Sequence, residues 1–440
     1  MKDRCLKQLG AEHERPVARG FRHAAARAPS VWACCVLAVT ALSIARAEEA
    51  ATQPLEDTLF APSQISVLTI LPGDQVYSLF GHSAFRVFDP DSGLDRVYNY
   101  GTFEFGNPIV FAARFAYGKL DYYLSTTPFS RTLRYYREVE HRPIIEQVLN
   151  LTTEERARLF SFLEWNALPE NRVYRYDFLF DNCSTRIRDA LFDYTPGLRL
   201  GSLGEGPPSF RRMLDPYGAE RPMLGLGWDL LMGVPVDRRP EAWERMFLPV
   251  DLMTALEEAI VVRGSDTEPI AAARDTLFWI QGRGMPDPGL PWPSMLGWLV
   301  FAAGLLITVR ERTRGPLYGR WFDVTLFWIV GLVGTLVAFM WLLTLHSVTL
   351  YNWNVLWAWP PHLVAAIGLA RPRRWRWLRG YLTAYAVVSA VFLLGWTLWP
   401  QGLHVAVIPL VLVLLLRSAW LASVGQRAWD GAVRVPAEAS

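Results

Sequence analysis

Tyr176-Asp-Phe-Leu-Phe-Asp181-Asn182-Cys183-Ser-Thr-Arg-Ile187-Arg-Asp-Ala190-Leu191 decides how this chain is read. Aromatic residues close a strand, Asp181 and Asn182 are N-cap residue types, and Ile187, Ala190 and Leu191 recur at helical spacing. Cys183 stands four residues before Ile187, so the thiol belongs to the first turn of a helix, on the face that packs inward. Free backbone N–H groups and the helix dipole favour a thiolate there. Of the four cysteines, Cys5, Cys34 and Cys35 fall in an expected leader, which leaves Cys183 unpaired in an exported domain. A lone thiol in an oxidising compartment points to a nucleophile; the alternative is a buried structural cysteine.

Upstream, Thr152-Thr-Glu-Glu155 is a capping box that opens a helix to about Trp165, and Pro169-Glu-Asn-Arg172 breaks it. Ile65–Ile70 reads as a strand ended by Pro72-Gly73-Asp74. Residues 82–100 read as a hairpin turned at Asp89-Pro-Asp-Ser-Gly93, residues 108–118 as a helix and 119–125 as a strand. This mixture makes the exported part α+β. Downstream, 194–225 is Gly- and Pro-rich loop with short helices, and 240–262 reads as helical. Domain limits follow: 1–47 leader, 48–200 thiol domain, 201–290 helical extension, 291–424 membrane domain and 425–440 tail.

A thiolate nucleophile needs a base and a group to orient it. Outside the leader five histidines remain: His82, His141, His346, His362 and His404. His82 follows Gly81 at a strand start, where a side chain can face a cleft, and Asn99 on the return strand can orient its ring; Asp177 and Asp181 are alternatives. The bland reading is a hydrogen-bonded core histidine. Gly81-His-Ser83-Ala-Phe85 imitates a serine-lipase elbow, but Phe85 replaces the final glycine that such an elbow needs. No metal, dinucleotide or nucleotide-binding motif is present, and a net charge of +2 gives no reason to expect nucleic acid. Neither a cofactor nor a metal is expected.

The chain has 440 residues, 51 % of them hydrophobic, with 19 tryptophans. That excess sits in the last third, which marks a membrane protein with a large polar part. A basic stretch, the apolar run 31–44 and Ala45-Arg-Ala47 make a signal peptide with cleavage expected after Ala47. Five apolar spans follow, at about Trp292–Val309, Val324–Leu345, Val355–Ala370, Tyr381–Trp399 and Leu403–Ala422. The third is short and the fifth contains Arg417. Arg310, Arg312, Arg314 and Arg320 crowd one loop, and Arg371, Arg373, Arg374, Arg376 and Arg379 another. The loops 346–354 and 400–402 carry no Lys or Arg. The positive-inside rule therefore places both Arg loops and the tail in the cytoplasm and residues 48–290 outside. The outer loop His346-Ser-Val-Thr349-Leu-Tyr-Asn352-Trp-Asn354-Val-Leu-Trp357 either meets headgroups, holds a lipid or docks the exported domain.

Tyr77-Ser-Leu-Phe-Gly-His82-Ser-Ala-Phe-Arg86, Val97-Tyr-Asn-Tyr-Gly-Thr-Phe103, Glu146–Thr152, Pro169–Arg172 and the Asp-Asn-Cys-Ser-Thr block resemble the Lnb-type lipoprotein N-acyltransferase family. The outer loop and Pro400-Gln401-Gly402-Leu403 resemble that family's membrane part. The resemblance implies a permuted, NlpC-type papain-like exported domain, with Cys183 as nucleophile and His82 as base. It also implies a site in the bacterial inner membrane and, as partners, membrane phospholipid and diacylglyceryl lipoproteins. Asn99 is the candidate third catalytic residue. Tyr77, Asp177, Asp181, Asn182, His346, Asn352 and Asn354 are the candidate substrate-binding residues. Two rivals share these features: an NlpC-type cell-wall peptidase or amidase, and a lipid-binding or docking protein with a structural Cys183.

Overall fold

Strict alternation of core residues builds the central sheet. In β1 (Gln64–Ile70) and β2 (His82–Asp89), Ile65, Val67, Phe85 and Val87 are buried on one face, and Leu68, Ile70 and Ala84 on the other. The computed structural model describes residues 60–424, apart from 105, 281–288, 316–317 and 372–375. The expected signal peptide and the tail 425–440 lie outside the described residues.

The remaining strands are β3 (Leu94–Thr102), β4 (Asp121–Pro128), β5 (Ile144–Leu149), β6 (Val173–Arg175), β7 (Leu198–Arg199), β8 (Ile260–Arg263), β9 (Asp266–Pro269) and β10 (Ala271–Phe278). Of the ten described strands, seven form an antiparallel sheet in the order β10-β5-β1-β2-β3-β4-β6, and β7-β8-β9 make a second, small sheet. Helices α1 (Pro108–Tyr117) and α2 (Phe129–Glu138) flank β4. Helices α3 (Thr153–Ala167) and α4 (Cys183–Tyr194) cover the face that holds Phe85 and Tyr98. Ile187 and Leu191 of α4 are fully buried there. Each such side chain contributes about 1.5–3 kcal/mol by leaving water, which fastens the cysteine helix to the sheet.

Downstream lie α5 (Phe210–Gly218), α6 (Pro222–Leu231), α7 (Ala242–Arg245) and α8 (Pro249–Glu258). Residues 240–262, expected from sequence to be helical, are not helical throughout: helix ends at Glu258, and Ile260 and Val261 lie in β8. Segment 201–290 is accordingly not all helix, because β10 extends the main sheet at its edge beside β5. Leu252 and Leu256 of α8 join the same core as Ile187. The β-branched Ile-Val-Val of β8 favours a strand once β7 and β9 supply partners.

The membrane part comprises α9 (Trp292–Arg314), α10 (Arg320–Leu343), α11 (His362–Ala370), α12 (Arg376–Leu394) and α13 (Val407–Ser423). By length and composition α9, α10 and α12 can each cross a membrane; α13 is shorter, and α11 has only 9 residues. The backbone before α11 is irregular, and protein covers it. Trp357 and Ala358 are buried, and Tyr385 Oη donates to the Trp357 carbonyl at 2.6 Å. Arg417 in α13 is fully buried but paired. Its guanidinium grips Asp323 of α10 through two bonds of 2.7 Å, and reaches Glu311 of α9 at 2.8 Å and Thr308 Oγ1 at 2.6 Å. A charge inside a bundle is tolerated when facing helices neutralise it.

Candidate active site

Asn182 makes the turn before α4. Its Oδ1 accepts the N–H groups of Ser184 (2.9 Å) and Thr185 (3.0 Å), and Thr185 Oγ1 accepts the Asn182 N–H at 2.8 Å. Its Nδ2 donates to the carbonyls of Phe178 (2.8 Å) and Phe247 (3.0 Å). With both ends of its amide engaged, Asn182 is a cap that aims Cys183 from the first helical position. Asp181 forms a two-bond ion pair with Arg186, at 2.6 and 2.9 Å, and so locks the same turn.

His82 opens β2, directly beside Cys183. Its Nε2 donates to Asn99 Oδ1 on β3 at 2.6 Å. That bond occupies Nε2 and leaves the Nδ1 lone pair as the ring's proton acceptor beside the thiol. Burial pushes the Cys183 thiol up, but the His82 charge, the His82 hydrogen bond and bonds from the Ser83 backbone and Ser184 bring it below its ordinary value. Burial pushes His82 down, and the Cys183 charge with the bonds to Cys183 and Asn99 carries it above its ordinary value. The two groups favour a thiolate–imidazolium pair.

Gly101 borders the pair in a backbone conformation that favours glycine. It sits at φ +102°, and a side chain there would stand 3.5 Å from His82 Cε1 and 3.9 Å from Cys183 Cβ. Tyr122 of β4 stacks on Tyr176 with ring centres 4.4 Å apart, and both pack with Cys183 against the core. Burial and the nearby Cys183 charge push the Tyr122 phenol up to about 12. The thiol thus lies against an aromatic wall. Ser83, the lipase-like serine, is fully buried and pairs with Ser184 Oγ at 3.1 Å, out of reach of any substrate.

The residues expected to bind substrate divide into groups. Tyr77 is exposed and bonds Glu140 at 3.0 Å. Asp177 holds the turn before the cysteine by accepting the Leu179 and Phe180 N–H groups, and its second oxygen accepts from Ser347 Oγ at 2.8 Å. His346 Nε2 bonds the Phe115 carbonyl of α1 at 2.9 Å. Asn352 and Asn354 are buried and donate to the Leu230 carbonyl at the end of α6, at 2.7 and 3.1 Å. Gln401 joins them, donating to the Met232 carbonyl at 2.9 Å. For His346, Asn352 and Asn354 the geometry is that of docking: these side chains tie the outer loops to the exported domain. Sequence reasoning passed over Ser347, Gly101 and the Tyr122–Tyr176 stack. Ser347 lies inside the polar loop and Gly101 inside the Val97–Phe103 block, but their roles depend on partners far along the chain.

Fold and site together define a membrane-embedded protein. Its mixed α/β outer domain holds a Cys–His–Asn constellation beside the outer end of a helical bundle. Two family models match it: the Lnb N-terminal periplasmic domain over residues 53–216 and the Lnb transmembrane domain over residues 287–427. The chain belongs to the Lnb-type family, which at the family level makes it a membrane-bound lipoprotein-modifying enzyme with a periplasmic domain. No curated protein and no solved structure matches it.

Proposed function

We propose that this protein, in the bacterial inner membrane, moves a fatty acyl chain from a phospholipid to the N-terminal amine of diacylglyceryl lipoproteins through a thioester on Cys183. The observation that carries this reading is the grouping of Asn99, His82 and Cys183, with the Asn99–His82 bond and both His82 and Cys183 beside Gly101, on a cysteine turn bonded through Asp177 to the membrane part's outer loop. The His-before-Cys order, with cysteine on a helix and histidine on the sheet beside it, suits a permuted papain-like thiol enzyme.

In the first step the Cys183 thiolate attacks the ester carbonyl of the phospholipid. The backbone N–H of Cys183 is one of those that a helix start leaves without an intrahelical partner, and we assign it to the developing oxyanion. The carbon–oxygen bond breaks, and the lysophospholipid leaves with the proton given up by the His82 imidazolium. In the second step the α-amine of the lipoprotein attacks the thioester. His82 takes the amine proton, the carbon–sulfur bond breaks, and the thiolate returns. The bundle supports aminolysis over hydrolysis by keeping water from a thioester formed at the bilayer surface.

The test is the intact mass of the purified protein after incubation with acyl-labelled phospholipid and no acceptor. A hydroxylamine-sensitive adduct on the native protein, absent from Cys183→Ala, is the expected result. A folded protein that takes no label even with acceptor lipopeptide present would refute it. Altered muropeptides in a deletion strain would favour a cell-wall peptidase instead.

A further inference from the structure

Helix α1 leaves β3, the strand of Asn99, and returns to β4, the strand of Tyr122. Asn107 Oδ1 caps its start by accepting the N–H groups of Ile109 (2.9 Å) and Val110 (3.3 Å), and Gly118 at φ +69° closes its end. A ten-residue helix so well capped would normally bury an apolar stripe. Here Ile109 is 80 % exposed, Val110 50 % and Phe115 55 %, although this is an exported domain facing water.

Its other contacts say what covers that surface. The Leu345 N–H donates to the Tyr117 carbonyl at 3.0 Å, His346 bonds the Phe115 carbonyl, and the Tyr117 ring meets Phe339 of α10 edge-on at 5.4 Å. Leu342, Leu343 and Leu345, at the outer end of that membrane helix, are themselves exposed and apolar. Exposed apolar residues thus stand both at the outer end of α10 and on α1, and the Leu345–Tyr117 bond and the Tyr117–Phe339 contact join the two. Arg114 and Lys119 are exposed at its C-terminal end, where cations meet lipid phosphates. From α1 the chain leads back through Phe103, whose ring stands 5.1 Å from Tyr122, to the aromatic wall of Cys183.

We infer that α1 is an in-plane membrane helix, seated in the outer leaflet, over which the acyl chain of the lipid substrate passes to Cys183. The location stands on the exposed face and its contacts with α10; the delivery role rests on the acyl-transfer reading above.

The experiment uses the full chain in vesicles of phosphatidylethanolamine and phosphatidylglycerol. Cys183→Ala, with the leader cysteines replaced, frees the chain of thiols. Ile109→Cys or Val110→Cys then carries an environment-sensitive fluorophore, and Ser265→Cys, in the exposed β8–β9 turn, is the control. Lipids spin-labelled on the acyl chain are expected to quench positions 109 and 110 strongly and 265 weakly. Equal quenching at all three would overturn the location. In the catalytically intact protein, Ile109→Glu with Val110→Glu is expected to slow labelling of Cys183 by vesicle phospholipid by about tenfold or more. Labelling by a water-soluble short-chain thioester is expected to be unchanged. Unaltered labelling from vesicles would overturn delivery. If neither donor labels the protein without these substitutions, the acyl-transfer reading and the delivery role fall together, and the quenching alone decides the location.

Discussion

Ser347 Oγ donates to Asp177 Oδ2 at 2.8 Å, joining the outer loop of the membrane part to the turn that presents Cys183. The other oxygen of Asp177 already holds the Leu179 and Phe180 N–H groups, so one carboxylate serves both the cysteine turn and the membrane contact. Removing the hydroxyl leaves the turn intact and loosens its seat. Ser347→Ala is expected to slow Cys183 acylation about fivefold, the equivalent of one hydrogen bond of about 1 kcal/mol. Ser347→Thr, which keeps the hydroxyl, is expected to recover most of that rate. Initial rates with labelled phospholipid, beside a thermal melt, check both.

The three residues of the proposed catalytic chain have graded roles. Cys183→Ala and His82→Ala are each expected to lower acyl transfer on the order of a thousandfold or more, because nucleophile and base act as a unit. Asn99→Ala leaves both in place and frees the imidazole, so its expected loss is about ten- to a hundredfold. Asn99→Asp still accepts from His82 Nε2 and is expected to lose less. Single-turnover rates separate these outcomes.

The pH dependence follows from opposite shifts at one pair. The Cys183 thiol lies below its ordinary value, so the thiolate persists as pH falls past the point where a free cysteine has protonated. His82 lies above its ordinary value, so the imidazolium survives to higher pH before the pair is lost. Alkylation of Cys183 by iodoacetamide is therefore expected to remain fast well below pH ~8.5, where an unperturbed thiol titrates. His82→Ala is expected to move the midpoint upward, since burial alone opposes the thiolate. A midpoint unmoved by that substitution would mean that the imidazole is not the group holding the thiolate.

Inside the bundle Arg417 is fully enclosed between Asp323 and Glu311. Arg417→Ala would strand two buried carboxylates, and breaking such a pair costs about 3–5 kcal/mol. The expected outcome is little folded protein in the membrane, read by detergent-extracted yield and melting temperature. Arg417→Lys keeps the charge but loses the fork to Asp323, and is expected to fall between the two.

What depends on near neighbours was already legible in the sequence. The Asn182 cap, the helix of Ile187 and Leu191, the capping box at Thr152 and the alternating strands around His82 all follow from residues a few positions apart. The juxtaposition of His82 and Asn99 was legible too, because a hairpin brings β2 and β3 together. Tertiary structure decided the rest. Ile260 and Val261 suit either a helix face or a strand, and the partners β7 and β9 chose the strand. Arg417 in an apolar run signals a misplaced charge until α9 and α10 bring Glu311 and Asp323 to it. Asn352 and Asn354 read as headgroup ligands or as docking residues until α6 offers its terminal carbonyls. In each case the energy of a polar or ambiguous side chain lies in a partner that only packing supplies, more than a hundred residues away for Asn352 and Asn354 and nearly as far for Asp323.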